Sequence, residues 1–244
     1  MALNVQIIDA NTMVGVYPAH KLDMSVERLV RDMDRYRIAA SLTLSAVGVF
    51  HSCMEGNALT LEAAKENKRL VPVATVDPRS YFGSAADMQA IRAQGFGAFK
   101  FYPAEQGWPI HSAAFGEILK QLAPLKVPVM LNAARPGDPS DAARMVSAYP
   151  APVILCSVSV DTFSEALAVM AELPNVMLET HDLHVPGAVR MAADRVGADR
   201  IVFGSGAPRR SIASSLQYIL SSELSDEDKQ GVLGGNIRRI LEGA

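Results

Sequence analysis

Glu179 and His181 stand two residues apart at the end of an apolar run, Val176–Glu179. Side chains alternate along an extended strand, so residues i and i+2 share a side. An imidazole beside a carboxylate is a ready acid–base pair, because histidine titrates close to neutrality. The plainer account is a loop histidine at a strand's rim. Lys100 brings a different chemistry. It lies between Phe99 and Phe101 in the run Ala98–Tyr102, where an unpaired ammonium is costly. It therefore pairs with Asp9, Asp77 or Glu179, or it serves to hold an anionic ligand.

The remaining polar residues of interest also fall at the ends of apolar runs. Lys100, Glu179 and His181 are the candidates for electrostatic and proton-transfer roles. Asp9, Asn11, Tyr102, Asn132, Ser157 and Ser205 are the candidates for binding a substrate. Ser157 and Ser205 are weak nucleophile candidates, since no Gly-x-Ser-x-Gly elbow surrounds either one. His181 and His184, at i and i+3, bind a metal only if a short helix forms and a third ligand approaches. Phe50, Phe101, Tyr102 and Trp108 either line a pocket or pack under loops. Arg209 and Arg210 open the last helix of the barrel pattern, as an anion site or as a solvated helix start.

The elements that must position these residues follow one rhythm. Short β-branched or apolar runs at Val5–Asp9, Ser41–Ser45, Val71–Thr75, Ala98–Tyr102, Val127–Leu131, Val153–Cys156, Val176–Glu179 and Ile201–Gly204 alternate with helix-period segments. Ser25, Ser84, Ser112, Asp141 and Thr162 open five of those segments, and Ser225–Leu233 and Ile237–Leu241 read as extra terminal helices. Strict alternation implies a parallel sheet, and eight units in 244 residues suit one closed (β/α)₈ TIM barrel, spanning 1–244 as a single domain. The alternative is an open Rossmann-like sheet, but no GxGxxG follows the first strand. Parity then predicts which side chains face the axis: Asp9, Asn11 and Met13; Thr75 and Asp77; Lys100 and Tyr102; Met130 and Asn132; Leu155 and Ser157; Met177, Glu179 and His181; Gly204 and Gly206.

Composition excludes several classes of function. A net charge of −3 with no basic stripe argues against nucleic acid as a partner. The longest weakly polar stretch, 38–50, is too short for a membrane span of roughly 20 residues, so no membrane partner is expected. Cys53 and Cys156 form no CxxC or disulfide framework and read as reduced thiols of a cytoplasmic protein.

Several stretches carry a resemblance in chain order. They include Ile7-Ile-Asp9-Ala-Asn11-Thr-Met13-Val-Gly15, Leu70-Val-Pro-Val-Ala-Thr-Val-Asp77-Pro78, Gly97-Ala-Phe-Lys100-Phe-Tyr-Pro103 and Arg200-Ile-Val-Phe-Gly-Ser205-Gly-Ala-Pro208. Together they resemble the amidohydrolase superfamily, in its branch of acyl hydrolases and non-oxidative decarboxylases. That family normally uses zinc or another divalent metal. The resemblance places its first-strand histidines at Asn11 and Met13, its fifth- and sixth-strand histidines at Asn132 and Ser157, and its eighth-strand aspartate at Gly206. Neutral Asn and Ser are poor ligands and Gly offers no side chain, so the expectation is a barrel with no metal and no other cofactor. The expected function is a hydrolase or lyase acting on a small carboxylate-bearing molecule. The alternative is an inactive relative that binds a small molecule or regulates an active one. The resemblance also implies a homodimer or pairing with a related subunit.

Overall fold

The computed structural model describes residues 5–18, 21–83 and 87–243. Its strands are β1 (Ile7–Val14), β2 (Ile38–Ser45), β3 (Leu70–Ala74), β4 (Ala98–Phe101), β5 (Val129–Asn132), β6 (Val153–Cys156), β7 (Val176–Glu179) and β8 (Ile201–Val202). Each pairs in parallel with the next, in sequence order. The last turns back onto the first. Ala10 N donates to Phe203 O at 2.8 Å, Gly206 N to Asn11 O at 2.8 Å and Met13 N to Ala207 O at 3.0 Å. The sheet is a closed barrel, and the open-sheet alternative falls.

Period-two patterning explains why both strand faces are apolar. Ile8, Leu42, Val73, Met130, Ile154 and Met177 fill the barrel interior in one cluster. The residues of opposite parity, such as Phe99, Leu131, Val153 and Leu178, pack outward under the helices in another. A strand covered on both sides must be apolar throughout, which is why these runs lack a polar face.

Parity misplaces two strands. On β6 the inward residues are Ile154 and Cys156, and Leu155 belongs to the outer layer. Ser157 still reaches the open end, because the chain leaves β6 through a left-handed residue there, with φ 58°. On β1 the inward residues are Ile8 and Ala10, and the register slips between Asp9 and Thr12. That irregularity re-aims Asn11 inward and leaves Asp9 on the other side.

Ser25 and Ser112 cap their helices as expected, accepting from Arg28 N at 3.2 Å and Phe115 N at 3.4 Å. Thr162 does not. Its hydroxyl accepts from Ser159 N, inside the preceding turn. The helix start expected at Ser84 lies outside the described residues. At the far end, the helix Asn236–Glu242 sends Ile237 and Ile240 into the interior cluster. Asn236 pins it there by donating to Ile201 O at 2.7 Å. No helix among the described residues is long and apolar enough to cross a membrane.

Candidate functional site

Glu179 ends β7 inside the barrel, wholly buried. Its carboxylate fits because the chain beyond β8 presents Gly204: a Cβ built there would lie 2.0 Å from Glu179 Oε1 and 2.9 Å from Asn11 Cβ. Gly204→Ala is therefore expected to cost about 1–3 kcal/mol by overpacking, read by urea unfolding. Gly116→Ala, inside the helix Ala113–Leu122 and meeting only the tip of Met145 at 3.3 Å, is expected to keep or raise stability by up to about 1 kcal/mol and serves as the control. Equal stability of the two variants would show that the carboxylate is not held against the Gly204 backbone.

Around Glu179 the strand ends build a line of alternating groups. Lys100 Nζ donates to Asn11 Oδ1 at 2.6 Å, and Asn11 Nδ2 donates to Glu179 Oε2 at 2.8 Å. His181 Nδ1 lies 2.5 Å from the same Oε2, and its Nε2 lies 2.9 Å from Asp182 Oδ2. Asp182 also pairs with Arg210. A carboxylate only accepts, so each ring nitrogen of His181 must carry a proton to face one. Asn11 Nδ2 also lies 2.9 Å from Nδ1, but two carboxylates on one ring favour the imidazolium. Burial works against that charge, but Glu179 and Asp182 outweigh it and hold the imidazole above its ordinary pKa. Burial also opposes the Glu179 charge, yet His181, Lys100 and Asn11 draw its pKa down. Asp182 is drawn down to about 2 against partial burial, chiefly by its hydrogen bond from His181. Lys100 stays protonated: burial opposes its charge, and Tyr102, Cys156, Glu179 and Glu105 around it raise its pKa. Its expected carboxylate partner is replaced by Asn11. Asp77 instead pairs with Arg79 at 2.7 Å, beyond the end of β3.

Asn11, Lys100, Tyr102, Asn132, Ser157 and His181 meet at the open end of the barrel, with Met13 and Gly206 beside them. Asp9 and Ser205 do not. Asp9 is buried between β1 and the turn after β8, accepting from Asn11 N at 3.0 Å and Ser205 N at 2.9 Å. The Ser205 hydroxyl also donates to it. Burial pushes this carboxyl up to about 6. The pair ties the closing seam together, and neither residue lines the cavity.

Sequence reasoning missed Glu105, Asp182 and Tyr17, and gave Arg209 and Arg210 only a general role. Glu105 accepts from Asn132 Nδ2 at 2.9 Å. Tyr17 meets Phe50 edge-on at 5.2 Å, and the Arg209 guanidinium lies 5.6 Å from the Tyr17 ring. Glu105 sits in the one-turn helix Pro103–Gln106 and the others in loops, all too short or irregular for periodicity to mark a side chain's direction. The one usable signal was for Asp182, which follows His181 directly. The cavity that these residues enclose is about 30 Å³, room for one small molecule the size of water. A larger cavity of about 760 Å³ lies outside the barrel wall, by Cys53, Asp77 and Arg79. His51, Cys53, Asp77 and Arg79 line it, but Asp77 is paired with Arg79 and burial pushes the Cys53 thiol up to about 11. The open end is the candidate site.

Eight parallel strands closed on themselves, with charged side chains gathered where the strands exit, define a (β/α)₈-barrel protein with a polar site at its open end. The sequence profile of the amidohydrolase family matches residues 15–243, and the chain belongs to that family. No curated protein matches it. Among solved structures it is similar to 5-carboxyvanillate decarboxylase from Sphingomonas paucimobilis, at 12% identity and TM-score 0.79, covering 98% of this chain and 99% of that one. It is similar to a dihydroxybenzoic acid decarboxylase from Polaromonas sp. JS666 with bound manganese and 2-nitroresorcinol, at 15% identity and TM-score 0.77, covering 98% and 97%. It is also similar to 5-carboxyvanillate decarboxylase from Novosphingobium aromaticivorans, complexed with manganese and 4-hydroxy-3-methoxy-5-nitrobenzoic acid. There the identity is 13% and the TM-score 0.76, covering 99% and 97%. These likenesses carry the fold. Neither they nor the family match support the inactive-relative alternative.

The manganese in two of these structures overturns the expectation of no cofactor. That expectation counted ligand types at five fixed positions. Manganese also accepts carboxylate and amide oxygens, which a chain can bring from elsewhere. The side chains at this mouth, as arranged, do not fit an ion. The Asn11 oxygen is taken by Lys100, and both His181 nitrogens face carboxylates. Among the described residues no group of three or more His, Cys, Asp or Glu is placed to hold a metal. An added Cβ at Gly206 would lie 3.0 Å from His181 Cδ2, on a backbone with φ 71°, so an aspartate there has neither space nor relaxed geometry.

Proposed function

We propose that this barrel binds a small aromatic carboxylate at its open end and removes the carboxyl group as carbon dioxide. Lys100 and Arg209 supply the positive charge that draws the anion in, and the rings of Tyr102, Tyr17 and Phe50 flank it. The observation that carries the reading is the placement of both His181 ring nitrogens against carboxylates, Nδ1 on Glu179 and Nε2 on Asp182, which favours a doubly protonated ring. Hydrolysis needs a base that takes a proton from water, and a ring with both nitrogens protonated has no lone pair to offer. Decarboxylation needs an acid. The bond between ring carbon and carboxyl carbon breaks, its electron pair stays on the ring carbon, and that carbon takes a proton as carbon dioxide leaves. His181 is the donor, and Ser157 Oγ, 3.5 Å from Nε2 and lining the same cavity, relays the proton, giving its own to the carbon as it takes one from Nε2. Glu179 and Asp182 hold the imidazolium in place by their negative charge, and water entering at the open end restores its proton once carbon dioxide has left. The kinship with decarboxylases of carboxylated phenols supports the same class of reaction. In the arrangement described, the space is far below the size of an aromatic ring, so Tyr17, Phe50 and Arg209 must swing aside for a ligand to enter.

The test is proton NMR of hydroxybenzoates incubated with the full chain in deuterated water. The expected result is loss of the carboxyl group, with deuterium on the carbon that bore it, and loss of that activity in His181→Asn. Ester or lactone cleavage without carbon dioxide release would sink the proposal.

A further inference from the structure

Asn132 closes β5 at the open end, 3% exposed. Its Nδ2 donates to Glu105 Oε1 at 2.9 Å. A carboxylate only accepts, so this bond settles which way the amide points. The oxygen is left facing away from Glu105, and Asn132 Oδ1 is buried with no hydrogen-bond partner. Buried acceptors are rarely left in that state, and one that lines a binding cavity asks for a donor from the ligand. Lys100, Ser157 and His181 line the same cavity.

The placement says where that donor lies on the ligand. Lys100 on β4 is in register with Met130 on β5, and Asn132 is two residues further along. Adjacent strands and a two-residue rise set the two α-carbons about 8 Å apart. Both side chains reach into the space between, so a carboxylate held by Lys100 and a donor held by Asn132 belong to neighbouring positions of one small ring.

We propose that Asn132 is the specificity residue of this site: its Oδ1 accepts a hydrogen bond from a hydroxyl or amine that the ligand carries near its carboxylate, with Glu105 as the positioning residue that locks the amide. The inference rests on the carboxylate-binding reading above and narrows it from aromatic carboxylates to those with a neighbouring donor. A ligand without the donor leaves the carbonyl unpaired, and sites built to bond a hydroxyl reject analogues that lack it.

Titration calorimetry on the full chain decides it, with benzoate, 2-hydroxybenzoate, 3-hydroxybenzoate and 2-aminobenzoate as probes. At least one donor-bearing probe is expected to bind about tenfold or more tighter than benzoate. The order among the three distinguishes hydroxyl from amine and one ring position from the other. In Asn132→Leu, similar in shape but without the acceptor, the four affinities are expected to converge toward that of benzoate. If benzoate binds the unaltered chain as tightly as every donor-bearing probe, the assignment of Asn132 is overturned while the carboxylate site stands. The same holds if the preference survives in Asn132→Leu. Should none of the four bind, the carboxylate reading falls as well. The comparison of probes on the unaltered chain decides the matter even if the variant fails to fold.

Discussion

Lys100→Met is expected to weaken binding of an aromatic carboxylate by about two orders of magnitude, the scale of losing one desolvated charge partner, about 3 kcal/mol. The substitution keeps the length of the side chain and removes only its charge and its donors. It also leaves the Asn11 oxygen without the bond it now receives at 2.6 Å, which adds about 1–3 kcal/mol of lost stability. The two effects separate the roles the sequence left open. If the lysine only balances buried charge, unfolding in urea shifts while calorimetric affinity for the carboxylate does not. If it holds the ligand, both fall. An affinity unchanged from the parent would remove Lys100 from the binding site.

The second large effect belongs to Glu179→Gln. The amide keeps the shape but takes away the charge that faces His181 Nδ1 at 2.5 Å, and removing one member of a buried pair costs about 3–5 kcal/mol. The direction with pH is fixed by linkage. The His181 pKa is raised in the fold, so its contribution to stability is complete below the ordinary imidazole value of about 6.5. That contribution fades as pH rises through the raised folded value. Glu179→Gln lowers the folded value, so the variant loses most stability in mildly acidic buffer and its stability changes less across the alkaline range. Decarboxylation should lose its acid at a lower pH for the same reason. Urea unfolding at several pH values and a titration of the His181 ring proton by NMR measure both. An unshifted ring titration would mean that Asp182 alone holds the charge.

How much of this was legible without coordinates depends on how each residue is placed. The eight strands could be read because a sheet covered on both faces needs unbroken apolar runs, and Lys100, Asn132 and Glu179 were found as the polar residues ending such runs. Parity failed where the strand was not regular. It misplaced Asp9 and Leu155, while Asn11 and Ser157 reach the open end as expected, though through a register slip and a left-handed turn that parity does not contain. Asp182 and Tyr17 lie in loops and Glu105 in the one-turn helix Pro103–Gln106, where no repeat distinguishes a side chain aimed at the axis from one in solvent. The link from Lys100 through Asn11 to Glu179 joins residues 89 and 168 positions apart, so only the closed barrel could reveal it. The cofactor reading failed for another reason. Counting residue types at fixed positions says which ligands are missing and does not by itself exclude a divalent metal.

The helix Asn236–Glu242, with Ile237 and Ile240 lodged in the interior cluster, works as a stopper in the barrel's floor. With that end plugged by hydrocarbon, neither ions nor solvent can approach Glu179 from below. On the proposed reading, substrate, product gas and every replacement proton share the one doorway that the described residues leave, so whatever governs the swing of Tyr17, Phe50 and Arg209 would also set the pace of traffic in both directions.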